Sequence, residues 1–176
     1  MKQSLLDLHN DLRRRVAKGE EKGQPPAADM NELVWSDDLA DIAQGWANQC
    51  DCVFQEREVY PCFHEPTGGR DRSPVPGRSG GQNIAWGLYG GQLTDWVSRA
   101  RGWYDEVFDF NATQVDRWVG SEGGPVIGHY TQFVWANTKQ VGCGIITSRK
   151  FSYTFHYLAC DYYPTGNVLY QPVYRR

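Results

Sequence analysis

One short stretch of the sequence, residues 128–135, places His129 among aromatic side chains and ahead of two cysteines. An imidazole can bind a metal ion through a ring nitrogen or transfer a proton near neutral pH. Cys143 and Cys160 follow at a spacing that allows them to form a disulfide. The stretch itself suits a short helix. The sequence therefore predicts that the His129 side chain, a candidate metal ligand or proton carrier, lies close to a disulfide.

The cysteines indicate disulfide chemistry. There are five, and neither a C-x-x-C pair nor a Cys/His zinc spacing occurs among them. A bond between Cys143 and Cys160 would contribute roughly 3 kcal/mol to stability. Cys52 and Cys62 are close enough in sequence to close a second, local loop. Cys50 is then left as a free thiol or an intermolecular bridge, because the count is odd.

Composition and charge fit one folded domain that does not bind nucleic acid. The chain has 176 residues, of which 40% are hydrophobic, so we expect a single core over residues 1–176. A formal net charge of -3 provides no basic field for a polyanion. No hydrophobic run reaches the length of a transmembrane helix. We therefore expect one domain without a membrane span.

Secretion is the location that the cysteines predict, since disulfides persist in oxidising compartments. The triplet Asn111-Ala112-Thr113 is an acceptor sequence for N-linked glycosylation, which agrees with secretion, although such triplets also occur by chance. The residues after Met1 are polar and amphipathic and do not form an apolar signal region. We therefore expect the chain to be a mature form from which a signal peptide was removed.

Three amphipathic helices are predicted before the His129 stretch. The first has a cap at Ser4, and the second starts at Ser36. The second helix should bury Trp46 on its apolar stripe. The third starts near Thr94 and carries Glu106 close to its apolar face. Glu106 is therefore the carboxylate with the strongest claim to a role in a site.

The remaining pattern has the period of a β-hairpin. Residues 141–147 are rich in β-branched side chains, residues 148–150 could form a turn, and apolar and polar residues alternate over 151–157. Residues 61–81 are rich in Gly and Pro and predict a long surface loop. Helices before and after short strands together favour a layered α+β sandwich.

Several stretches resemble the CAP superfamily, which comprises the cysteine-rich secretory proteins, antigen 5 and the plant pathogenesis-related proteins. The two signature motifs of that family correspond to residues 128–135 with 143–144, and to residues 160–167. Further matches follow the family order at residues 8–13, 81–86 and 103–107. The resemblance therefore extends through nearly the whole chain.

The resemblance implies a secreted three-layer α-β-α sandwich of the α+β class with a small antiparallel sheet. It also supports the pairing of Cys143 with Cys160, which spacing alone only suggests. No cysteine-rich module lies between the domain and Arg176, so we expect the channel-blocking part of the venom relatives to be absent.

Many family members bring two histidines and two glutamates into a central cleft that can hold a divalent metal. His129 and Glu106 match one residue of each type. Gln82 stands where the family has its other glutamate, and a neutral amide cannot act as a base. Glu56 stands at the usual place of the other histidine. His64 lies eight residues later, either in the cleft or as an exposed loop residue.

These residues predict a partly degenerate site for a divalent metal, Zn or Mg. His64 and His129 would be the ligands, with Glu106 and Gln82 in the cleft. The main functional prediction is a non-enzymatic binding protein. The alternative is a metal-dependent, protease-like hydrolase with Glu106 and His129 as catalytic residues. No nucleophile elbow or triad spacing is present in the sequence, which favours binding.

The resemblance implies two classes of partner. Family members are associated with lipid or sterol transport, and aromatic and aliphatic residues here could line an apolar groove. The loop over residues 61–81 could cover such a groove. Venom, allergen and host-defence relatives instead imply an extracellular protein partner, and a homodimer is a further hypothesis.

Overall fold

The computed structural model describes residues 1–50, 64, 72–89, 95–121, 123–150 and 153–176. Its helices are α1 (Lys2–Ala17), α2 (Asp37–Cys50), α3 (Trp96–Asp105) and α4 (Gly128–Phe133), with 3-10 turns at Glu106–Phe108 and Ala112–Gln114. Its strands are β1 (Val34–Trp35), β2 (Gly81–Tyr89), β3 (Gln140–Lys150) and β4 (Tyr153–Tyr163). Within these ranges no helix is long and apolar enough to cross a membrane. Most of the predicted loop over residues 61–81 lies outside the described residues.

The four strands form one sheet in the order β1-β3-β4-β2. The β2–β4 and β3–β4 pairs are antiparallel, but β1 runs parallel to β3. The predicted small antiparallel sheet is therefore a mixed sheet. A parallel neighbour is allowed here because three helices and β2 separate β1 from β3 along the chain, so no tight turn dictates their direction.

The predicted hairpin is present, but its strands are longer than expected. Continuous pairing runs from Gln140 opposite Tyr163 to Lys150 opposite Tyr153. Residues 148–150, predicted as a turn, belong to β3. They are polar because this end of the strand is partly exposed to solvent, as the exposed Arg149 shows.

Among the described elements, α2 is the helix that covers one face of the sheet, and it does so at very short range. A Cβ on Gly142 would lie 2.2 Å from the backbone nitrogen of Ala40, and one on Gly144 would lie 2.3 Å from that of Gln44. Only glycine fits at these two positions of β3, because the helix backbone rests directly on the strand. Trp46 is half-buried at this interface, less than predicted, and its indole N–H donates to the Tyr157 hydroxyl at 3.1 Å.

The opposite face carries the larger core, to which α1, α3 and α4 contribute. The buried side chains there are large and mostly aromatic or aliphatic, and they dominate the hydrophobic stabilisation. They include Leu5, Leu12 and Val16 of α1, Trp103 and Tyr104 of α3, Tyr130 and Phe133 of α4, and Leu158 and Tyr162 of β4. With helices on both faces, the predicted three-layer α-β-α sandwich of the α+β class is confirmed.

The helix starts agree with the sequence predictions at α2 and differ at α1. Ser36 accepts a hydrogen bond from the Leu39 amide at 3.2 Å, as a capping serine does. The predicted cap at Ser4 is wrong, because α1 begins at Lys2 and Ser4 lies inside it. The third helix is capped by Asp95, whose side chain accepts from the Val97 amide, and Thr94 lies outside the described residues.

A buried arginine ties α1 to the segment that follows α4. Arg13 is 1% exposed, and its guanidinium donates to five backbone carbonyls. These belong to Asn31, Phe133, Trp135, Ala136 and Thr138, at 2.8 to 3.4 Å. Because a planar guanidinium offers five donors, one side chain satisfies carbonyls that α4 and the following turn leave without intrahelical partners.

Candidate functional site

Glu106 and His129 form the centre of the candidate site. The Nδ1 atom of His129 donates to Glu106 Oε1 at 2.6 Å. Glu106 Oε2 accepts from the backbone amides of His129 and Tyr130 at 3.0 and 3.1 Å. No side chain at Ile127 caps α4, so Glu106, brought by the turn after α3, performs that role from another element. The carboxylate therefore fixes both the helix and the ring.

His64 approaches the same region on the β2 side. Its Nδ1 lies 3.1 Å from Gln82 Oε1, and since an amide oxygen accepts, the ring donates. The Nε2 group of Gln82 in turn donates to Asp161 Oδ1 at 2.9 Å. Gln82 and Asp161 stand opposite each other in the β2–β4 register. The glutamine thus bridges a ring donor and a fully buried carboxylate.

Asp161 is the site residue that sequence reasoning missed. Its side chain is buried beside Gln82, so an anionic group stands next to the position where the family glutamate is replaced. A carboxylate only accepts hydrogen bonds, whereas an amide also donates, and Gln82 therefore suits this neighbour better than a glutamate would. The strand register that pairs these two residues cannot be read from the sequence, although Asp161 lies within a signature motif.

The two histidines line one open groove of about 750 Å³. Glu106 and Trp103 line it as well, and Trp103 stacks on the His129 ring with the ring centres 6.2 Å apart and the planes inclined by 16°. The other lining residues are mostly apolar or small, with one arginine: Ile84, Ala85, Trp86, Ser98, Arg99, Gly102 and Val126. We call this cavity the His129 groove. His64 therefore lines the same groove as His129, which is the first of the two positions that the sequence allowed for it.

The surroundings of His64 keep its ring neutral at pH 7. The residue as a whole is exposed, but partial loss of solvent around its ring lowers the pKa of His64 below 6.5. The hydrogen bond to Gln82 raises the pKa, and the positive charge of Arg72 lowers it, with a smaller contribution in the same direction from the neighbouring His129. A neutral imidazole is the form that binds metals.

The groove offers two imidazole nitrogens to a cation. Because each Nδ1 donates to an oxygen, Nε2 is the nitrogen of each ring that is left for a cation. In the part of the chain that the structure describes, no group of three or more His, Cys, Asp or Glu side chains could hold a metal ion. The residues fit an open two-histidine site whose other positions belong to water or a ligand, and they do not fit a closed four-ligand zinc site.

The remaining histidines serve other elements. His9 is fully buried, donates through Nδ1 to the Leu5 carbonyl at 2.7 Å and accepts from the Tyr162 hydroxyl at 2.9 Å. The His9 ring therefore joins α1 to β4. His156 lies on β4, with its Nδ1 3.2 Å from the Thr147 hydroxyl. Neither ring lines the His129 groove.

The cysteine predictions fall partly within the described residues. Cys143 and Cys160 form a disulfide between directly opposed residues of β3 and β4. Cys52 and Cys62 lie outside the described residues, as does Glu56. Cys50 is the last residue of α2. Asn111, the predicted glycosylation site, is exposed on the turn before Ala112–Gln114.

Comparison with known proteins gives relatives over the full chain. The chain is 41% identical to scoloptoxin SSD976 of Scolopendra dehaani over 177 residues, covering 100% of this chain and 74% of that protein. It is also 41% identical to venom allergen 5 of Polybia scutellaris rioplatensis over 180 residues, covering 99% of this chain and 79% of the allergen. Relatives that are this similar over this much of the chain share its family.

Solved structures of other proteins share the fold of this chain, and a family match covers most of its sequence. The structure of BmVAL-1 superposes with a TM-score of 0.75 at 23% identity, covering 99% of this chain and 81% of that one. A crystal structure of NaASP2 with Zn²⁺ has a TM-score of 0.70 at 24% identity, covering 99% of this chain and 85% of that one. The family that matches residues 6–162 is described as CAP, the cysteine-rich secretory protein family. The chain belongs to the CAP family.

Proposed function

We propose that this chain is a secreted, non-enzymatic binding protein whose ligand site is the His129 groove, with a divalent transition-metal ion held by His64 and His129. The observation that carries the proposal is the pairing of each ring with an oxygen acceptor. Nδ1 of His129 donates to Glu106, and Nδ1 of His64 donates to Gln82. This arrangement orients the rings as the outer-shell acceptors of metal-binding histidines do.

The donor atoms favour zinc over magnesium. Imidazole nitrogen suits Zn²⁺, whereas Mg²⁺ prefers oxygen ligands in an octahedral arrangement. A structure of NaASP2, which shares this fold, is described as containing Zn²⁺. With two protein ligands, the ion would keep positions for water or for a group of the bound ligand. We expect the cation to be exchangeable and removable by chelators.

The contacts of Glu106 argue against the hydrolase alternative. Its two oxygens already accept three hydrogen bonds, from Nδ1 of His129 and from two backbone amides. A general base that activates water needs an oxygen facing the groove that is available to take a proton. Glu106 is better suited to hold the His129 ring and α4 in place than to take part in a reaction.

The groove walls support an apolar ligand of the lipid or sterol class. Trp86 is 40% exposed and Val126 is 63% exposed, and both line the His129 groove. Large apolar side chains that remain open to solvent around a concave site are typical of binding surfaces for apolar molecules. The alternative is a protein partner that covers the same side chains, and the sterol titration described below distinguishes the two.

Zinc titration by calorimetry tests the cation site. We expect the wild type to bind zinc, and His129→Ala and His64→Ala each to lose about tenfold or more in affinity. Glu106→Gln, which leaves both ligands in place, should also lose about tenfold because the ring is no longer oriented by a charge. His156→Gln is the matched control outside the groove. No zinc binding by the wild type would overturn the cation site.

A fluorescent sterol titration tests the ligand class. We expect saturable binding to the wild type and weaker binding to Trp86→Ala, with Trp35→Ala as a tryptophan control outside the groove. No saturable binding to the wild type would point to a protein partner instead. If protein purified to constant specific activity hydrolysed a peptide or ester and lost that activity in both Glu106→Gln and His129→Ala, the non-enzymatic proposal would be wrong.

A further inference from the structure

A second groove lies beside the predicted glycosylation triplet. It has a volume of about 570 Å³ and shares no lining residue with the His129 groove in the described parts of the chain. Asn111 lines it, together with polar Asp109 and Gln114 and apolar Leu169 and Tyr170. We call it the Asn111 groove. This mixed lining suits an N-acetylated sugar ring. Polar side chains can bond the hydroxyl and amide groups at the edge of the ring, and an aromatic side chain can pack against the C–H groups on its face.

The two side-chain atoms of Asn111 have separate roles. Oδ1 accepts from the Thr113 amide at 3.0 Å and from the Thr113 hydroxyl at 2.9 Å, which caps the short turn that follows. Nδ2 has no hydrogen-bond partner among the described residues, and Asn111 is exposed. N-linked glycosylation replaces a hydrogen on Nδ2 and leaves Oδ1 as an acceptor. The modification is therefore compatible with every contact that this side chain makes in the fold.

Tyr170 provides a fixed aromatic surface in the Asn111 groove. Its side chain is 60% exposed, although the Arg117 guanidinium covers its ring at 4.6 Å. Its backbone has a φ of 67°, an unfavourable conformation for a bulky residue, and its amide donates to the Trp118 carbonyl at 2.8 Å. Residues held in such conformations are concentrated where a side chain must be presented in one place.

We propose that Asn111 carries an N-linked glycan and that its first N-acetylglucosamine lies in the Asn111 groove against Tyr170. In the attachment step, Nδ2 forms a bond to the anomeric carbon of a lipid-diphosphate-linked oligosaccharide. The bond from that carbon to the diphosphate oxygen breaks, the lipid diphosphate leaves with the bonding electrons, and one Nδ2 proton is lost to base. No oxidant or reductant is needed.

The first experiment measures occupancy. The chain is expressed behind a signal peptide in eukaryotic secretory cells, and the intact mass of the secreted protein is compared before and after peptide-N-glycosidase treatment. We expect wild type and Thr113→Ser to lose a glycan mass, and Asn111→Gln and Thr113→Val to show none. Secreted, folded wild type without a glycan would overturn the proposal, and a folded Asn111→Gln variant that still carries one would also overturn it.

The second experiment measures whether the sugar lies against Tyr170. Glycan release by the same glycosidase is timed on native protein, using Tyr170→Asn because asparagine tolerates a positive φ. We expect release from this variant to be about fivefold faster than from wild type, the size of one aromatic packing contact. Val34→Ala, at an exposed apolar residue of β1 that lines neither groove, should match wild type, and all proteins should match when denatured. Equal rates of glycan release from native wild type and native Tyr170→Asn would overturn the proposal that the sugar lies against Tyr170.

Discussion

At the scale of single residues, the site is organised by side chains that hold others in place. Gln82 lies between His64 and Asp161, donating to the carboxylate and accepting from the ring. Glu106 accepts from the His129 ring and also caps α4 by accepting from two backbone amides. The difference in charge between these two holding residues follows from their neighbours, because only Gln82 stands beside a buried carboxylate.

Substituting Gln82→Glu should destabilise the fold at neutral pH. The new carboxylate would face Asp161, so the pair would share a proton and one pKa would rise. A group with a raised folded-state pKa adds stability at low pH and loses it as the pH rises through that value. We expect urea unfolding to show a loss of about 2 kcal/mol at pH 7.5 and a smaller loss at pH 5. The double substitution Gln82→Glu with Asp161→Asn should recover most of the loss, and no recovery would contradict this account.

The sequence predicted part of this site. His129 and Glu106 could be identified because they lie in recognisable motifs, and the helix pattern brought Glu106 close to an apolar face. The position of His64 depends on a loop whose path has no periodic signal, so the sequence left two alternatives open. Asp161 could not be found because its role depends on which residue of β2 lies opposite it.

At the scale of elements, the Arg13 side chain connects α1 to the end of α4. Arg13→Lys keeps the charge but replaces five donors with three on a flexible stem. At least two of the five buried hydrogen bonds from the charged side chain would be lost, and we expect a loss of about 3 kcal/mol in the free energy of unfolding. The measurement is urea denaturation at pH 7. Arg14→Lys, on the exposed side of α1, is the control and should change the free energy of unfolding little. An equal loss in both variants would contradict the connecting role of Arg13.

The bond between α1 and β4 through His9 predicts a weakness in acid. Burial lowers the pKa of His9 to about 4. The hydrogen bond to the Leu5 carbonyl raises this pKa, and the positive charge of Arg13 lowers it further. The faces of the ring meet Phe133 and Tyr162, neither of which supplies a compensating negative charge at these pH values. Below pH 6.5 the unfolded chain gains a proton that the folded chain lacks, so stability falls as the pH drops towards 4.

The size of this effect follows from the shift between the two states. We expect a loss of about 3 kcal/mol between pH 7 and pH 4, superimposed on the titration of the carboxylates. His9→Gln, compared with wild type across the same pH series, should be less stable at pH 7 but should show a shallower decline. If the two proteins declined in parallel, His9 would not be the source of the acid sensitivity.

Element prediction succeeded where a period is long enough to read. The apolar stripes of the helices and the alternation in β4 are each repeated several times. The strand β1 has two residues, so it has no period, and its parallel pairing with β3 is determined by tertiary packing alone. The cap at Ser4 failed because a serine one turn into a helix resembles a cap when only its apolar followers are considered.

At the scale of the whole molecule, the domain has two grooves that share no lining residue among the described residues. If both proposals hold, occupancy of one should not affect the other, since sites without shared partners combine nearly additively. We expect the zinc dissociation constant to agree within about twofold before and after enzymatic removal of the glycan. A larger change would mean that the glycan reaches the His129 groove or that the domain couples the two regions.

The disulfide joins Cys143 to Cys160, and Cys143 lies in β3 between Gly142 and Gly144, the two glycines against which the backbone of α2 packs. Urea or heat can separate the helix from this part of the sheet, but it cannot separate the two strands at that rung while the bond is intact. The denatured chain therefore retains one native residue pair, which limits how far β3 and β4 can move apart. Protein that global probes report as unfolded would still hold these two cysteines together, so refolding of the hairpin would start from a residue pair that is already in its native register.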